Sequence, residues 1–130
     1  MNAERDLTAA CQEWRRLAEA EGEAIAAGDW SMVSACQKAL QLLQERTSQL
    51  FPAVRKEWSK SGRDGATKEN KLNAVLRELI RLEQRNQTLL GAMLSAAREK
   101  LDQLHRAGLN LKQIQRSYGP PQPTAWSSFS

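Results

Sequence analysis

From about Thr67 to about Ala107, with an extension to Arg116, apolar residues return every three or four positions, and this one run confines the chain to a helical fold. Leu72, Val75, Leu79, Leu82, Leu89 and Met93 carry the pattern, with Asn86 standing where the next apolar residue should fall. Such spacing places one face of a helix against other helices. A helix of roughly 40 residues, rising about 1.5 Å per residue, reaches roughly 60 Å. The two helical patterns before it are shorter, so its C-terminal end is expected to keep an apolar stripe that nothing in its own chain covers. That points to a protein that binds something, and away from an enzyme.

The composition agrees. At 130 residues the chain has the size of one domain, and its 41% hydrophobic content is mostly Leu and Ala. The bias toward Leu, Ala, Glu, Gln, Arg and Lys favours helix, and no strand-like runs of Val, Ile, Thr and Tyr occur. No stretch approaches the 18 or so apolar residues that cross a bilayer, so membrane insertion is not expected. The start, Met1-Asn2-Ala3-Glu4-Arg5-Asp6, has no apolar core and does not read as a secretory signal. The expected compartment is the cytoplasm.

The fold predicted is all-α: an antiparallel three-helix, coiled-coil-like bundle over residues 1–116, then a flexible Pro/Ser-rich tail over 117–130. The first helix spans about 3–27, with Leu7, Cys11, Trp14, Ala18, Glu21 and Ile25 on a four-three seam that only Glu21 interrupts. Gly28 supplies a left-handed residue and Asp29 a cap for the second helix, about 30–60. Val33, Cys36, Leu40, Leu43, Thr47, Leu50 and Val54 continue its heptad past Pro52, where a kink and not an end is expected. Ser61-Gly62-Arg63-Asp64-Gly65 reads as a loop and Thr67 as the cap of the third helix, about 67–107. Gly108 reads as its stop, and Ser117-Tyr118-Gly119-Pro120-Pro121 as non-helical. A hairpin turning at Gly28-Asp29 brings Trp14 near Leu43, Leu7 near Leu50 and Leu17 near Leu40. It also sets Cys11 opposite Arg46 and Cys36 opposite Glu21, leaving the thiols roughly 15 Å apart in level and out of disulfide reach. Both read as reduced core residues.

Charge is uneven: residues 1–54 carry five Lys/Arg against eight Asp/Glu, and residues 55–130 carry fourteen against seven. A basic half suggests nucleic acid, but the cations are interleaved with Glu57, Asp64, Glu69, Glu78 and Glu83, and no stacking aromatics accompany them. Nucleic-acid binding is therefore not expected. Motifs for chemistry are absent: there is no CxxC, HExxH, GxSxG or Gly-rich phosphate loop. The one histidine, His105, reads as a cation near a helix end. Glu19, Glu21 and Glu23 are two apart and do not share a helix face. No catalytic residue, metal or cofactor is predicted.

The segment Leu17-Ala18-Glu19-Ala20-Glu21-Gly22-Glu23-Ala24-Ile25-Ala26-Ala27-Gly28-Asp29, followed by Gln37-Lys38-Ala39-Leu40, resembles the N-terminal pattern of FlgN-type flagellar export chaperones. Leu82-x-x-x-Asn86-x-x-Leu89-Leu90 resembles that family's Asn-containing third-helix motif, and Ser117-Tyr118-Gly119 its C-terminal Tyr-Gly. The likeness extends over most of residues 7–119. It implies a cytoplasmic chaperone that binds the C-terminal amphipathic helices of flagellar hook–filament junction (hook-associated) proteins and delivers them to the type III export gate. It also implies that Tyr118 docks on the cytoplasmic domain of that gate.

Under this reading the client face comprises Asn86, Leu90, Leu94, Leu101 and Leu104, with Ala97 between them. Asn86 is expected to set register or to bond the client, so Asn86→Leu is expected to stabilise the fold and blur client choice. One alternative is a homo-oligomeric coiled-coil adaptor that closes its stripe on a second copy, as a homodimer would. A small all-α chorismate-mutase-like enzyme is a further one, resting on Arg85 beside Asn86. It needs several cations facing the core, where the seams hold Leu, Val, Ala and Cys.

Overall fold

The computed structural model describes residues 3–118. It contains three α-helices, α1 (Ala3–Ala27), α2 (Trp30–Ser59) and α3 (Gly62–Tyr118), and no strand among the described residues. The fold is the three-helix bundle expected. One compact unit runs through Met93 and a second part begins at Leu94, so the bundle stops well short of residue 116.

The α1–α2 turn forms as the sequence predicts. Gly28 takes φ +70, a backbone state that costs glycine little, and Asp29 caps α2 by accepting a hydrogen bond from the Met32 backbone N–H at 3.2 Å. The second helix runs through Pro52 without ending.

The turn between α2 and α3 differs from expectation. It occupies Lys60 and Ser61, whose N–H groups donate to the Glu57 and Trp58 carbonyls, and α3 starts at Gly62 with φ +60. Gly65, read in sequence as a loop residue, lies inside the helix. A Cβ there would meet the Trp58 carbonyl oxygen at 1.8 Å, so the glycine permits close backbone approach and not a loop. Thr67 is likewise inside the helix, where its hydroxyl donates to the Arg63 carbonyl at 3.0 Å and caps nothing.

At the other end, Gly108, Ser117 and Tyr118 are helical, contrary to the predicted stop and break. An isolated glycine costs a helix only about 1 kcal/mol, and Gly108 has no positive φ to end one. The rest of the predicted flexible tail, with Trp126 and Phe129, lies outside the described residues.

The core of the first unit joins Leu7, Cys11, Trp14 and Ala18 of α1, Leu40, Val54 and Trp58 of α2, and Leu72 and Leu79 of α3. Leu17, Leu43 and Leu50 pack against the same cluster. Both cysteines are free and buried. Burial pushes both thiols up, and at Cys36 the neighbouring Glu21 charge adds to the effect, the pairing that the hairpin predicts.

Polar contacts between helices show their directions. Lys68 pairs with Glu4 at 3.4 Å and Arg15 with Glu78 at 2.8 Å, so α1 and α3 run parallel. Arg55 meets Glu69 at 3.6 Å and Gln44 donates to Glu83 at 2.9 Å, so α2 and α3 run antiparallel.

Candidate functional site

The residues predicted to form one client face fall into three environments. Asn86 is inside the bundle at 1% exposure. Its amide donates to the Ala18 carbonyl at 2.7 Å and to the Glu21 carboxylate at 2.9 Å. Asn86 therefore does not lie on a binding surface, contrary to expectation: both amide N–H groups are used within the bundle. The Asn86 carbonyl oxygen has no hydrogen-bond partner and rests against Gly22, where a Cβ would come within 2.8 Å of it.

Leu90 is half-buried. With Leu89 and Met93 it packs against Ala24, Ile25 and Val33, closing the α1–α2 end of the first unit. It belongs to the core and not to a free stripe.

Leu94, Leu101 and Leu104 are exposed, at 53%, 66% and 63%. They lie in the second part of the chain, where every described residue from Leu94 to Tyr118 is exposed. Leu94, Ala97, Leu101, Leu104, Gly108, Leu111 and Tyr118 follow one heptad seam along this helical segment, with Gln115 as its polar member. At roughly 1.5 Å per residue the segment offers a stripe roughly 37 Å long. Leu111 and Tyr118 were not assigned to the stripe from sequence, because Gly108 read as a stop; the signal was the unbroken seven-residue spacing across it. Ile114 borders the same seam, whereas Leu109 falls on the opposite face. Tyr118 is the last described residue and is 85% exposed.

Near Asn86 the bundle holds a second polar group. Glu83 accepts from Gln44, and the Trp14 indole N–H faces its carboxyl without closing a hydrogen bond. Burial pushes the Glu83 carboxyl above its usual range, the Glu21 charge adds to that, and the Trp14 and Gln44 groups oppose it. Glu21 and Glu83 line a cleft of ≈ 340 Å³ with Gln37, Gln41, Gln44 and Gln87.

Arg85, on which a chorismate-mutase-like site would depend, is exposed. The buried polar side chains among the described residues include Glu21, Thr47 and Asn86 and no Lys or Arg. Among the described residues, no group of three or more His, Cys, Asp or Glu side chains is arranged to hold a metal ion, and no helix is long and apolar enough to cross a membrane. The chain matches no protein-family description, no curated protein and no solved structure.

Proposed function

We propose that this protein is a binding protein and not an enzyme: a FlgN-type export chaperone that holds the C-terminal amphipathic helices of flagellar junction proteins in the cytoplasm and passes them to a type III export gate. The observation that carries this reading is the exposed heptad seam from Leu94 to Tyr118. A helix laid along such a seam removes apolar surface from water at roughly 25 cal/mol per Å². The flagellar assignment rests on the resemblance at Leu17–Asp29, Leu82–Leu90 and Ser117–Gly119. Tyr118, ending the described helix, presents an amphipathic ring of the kind that anchors an interface at small entropic cost.

Calorimetric titration with C-terminal segments of junction proteins tests this. Leu94→Glu together with Leu101→Glu is expected to abolish binding and to leave the helical circular-dichroism signal intact. Tyr118→Ala, at the last described position of the seam, is expected to weaken docking on the gate's cytoplasmic domain by more than about 1 kcal/mol and to cost client affinity less than that. Wild-type protein that ignores every such segment and sediments as a dimer would support the coiled-coil adaptor reading instead.

A further inference from the structure

The edges of the seam carry information that its apolar positions do not. When Leu94, Ala97, Leu101, Leu104, Gly108, Leu111, Gln115 and Tyr118 face a partner helix, the positions flanking the contact are 98, 105 and 112 on one side and 100, 107 and 114 on the other. These hold Arg98, His105 and Lys112, and Lys100, Ala107 and Ile114. The two acids of the segment, Glu99 and Asp102, lie on the face turned away from the seam. All of these side chains are exposed, and none forms an ion pair among the described residues. The contact is thus edged with positive charge and offers no acid of its own.

Taking this stripe as the docking face, we propose that its occupant is an amphipathic helix whose apolar seam is edged by Glu and Asp, and not a second copy of this chain. Antiparallel self-pairing would set Arg98 against Lys112 of the other copy. Parallel self-pairing would set Lys100 beside His105. Neither supplies an opposite charge, and residues at these flanking positions decide which helices pair. An acidic edge on the partner would instead match Arg98, Lys100 and Lys112 at once and steer the encounter. A bilayer surface suits the stripe less well. The seam is a narrow two-in-seven strip, whereas interfacial helices bury a broad apolar face and commonly anchor it with Trp or Phe. Residues 94–118 contain neither.

The test uses the full-length chain and two synthetic helical peptides about 25 residues long. Both carry the same Leu seam, one with Glu and the other with Lys at the flanking positions, so like charges keep each peptide from pairing with itself. Fluorescence anisotropy at about 50 mM salt is expected to show the Glu peptide binding at least about ten-fold tighter, with the gap closing at about 500 mM as screening shortens the range of the charges. The triple variant Arg98→Glu/Lys100→Glu/Lys112→Glu, altered only at exposed positions, is expected to reverse the preference. Equal binding of both peptides overturns the charge inference and leaves the docking face standing. Binding of neither overturns both. A stable dimer of the full chain at micromolar concentration, or tighter association with phosphatidylserine vesicles than with the Glu peptide, assigns the stripe to another occupant and overturns the proposal.

Discussion

Two of the polar residues that interrupt the apolar seams of this chain, Glu21 in α1 and Asn86 in α3, meet. Asn86 gives one amide hydrogen to the Glu21 carboxylate, itself only 7% exposed, and the other to the Ala18 carbonyl. A buried carboxylate is costly without a donor, so each residue accounts for the other. This reverses the sequence expectation for Asn86→Leu. The substitution adds apolar surface but leaves Glu21 without the partner the fold gives it, and is expected to destabilise by about 1–3 kcal/mol in urea unfolding. Glu21→Leu/Asn86→Leu should recover most of the loss, because replacing both members of a buried polar pair is close to neutral. A single variant as stable as the wild type would show that the pair contributes nothing. Gly22 belongs to the same arrangement, since its missing side chain leaves room for the Asn86 carbonyl oxygen.

Among the elements, the α2–α3 corner is held by a close approach. Trp58 is buried, its indole N–H donates to Glu4 at 3.3 Å, and the α3 backbone passes its carbonyl at Gly65. A β-carbon at 65 would have to displace backbone, which a flexible side chain cannot absorb. Gly65→Ala is therefore expected to lower stability by about 3 kcal/mol, despite the roughly 1 kcal/mol that alanine gains in helix propensity. Thermal melting read by circular dichroism checks it. Gly108→Ala, with nothing near its Cβ, is the control expected to be neutral or stabilising. The sequence reads Gly65 as a loop residue and Gly108 as a helix stop; both lie within α3, and the neighbour across the corner is what separates them.

Over the whole molecule, packing is concentrated in the residues up to Met93. The segment from Leu94 to Tyr118 has helical backbone hydrogen bonds but only exposed side chains. In proteins most helical stability comes from tertiary packing of an apolar face, which this segment lacks. Amide hydrogen exchange is expected to reflect that. Amides around Leu7, Leu40 and Leu79 should be protected to the level of global unfolding, and those of residues 94–118 should exchange at least about a thousand-fold faster. Addition of a helix that docks on the seam should slow the second group selectively. Uniform protection along α3 in the free protein would mean that the stripe is already covered.

Three helices, the Gly28–Asp29 turn, the capping role of Asp29 and the reduced state of both cysteines were legible from spacing and residue type, because helix periodicity and turn chemistry are local properties. So were the anomalies at Glu21 and Asn86 and the apolar positions Leu94, Leu101 and Leu104. Tertiary structure alone decided that Asn86 faces inward, that Leu90 closes the core and that Gly65 serves close contact. Each of these depends on which atoms of a distant segment occupy the space beside the residue, and the periodicity of a single helix holds no information about its neighbour.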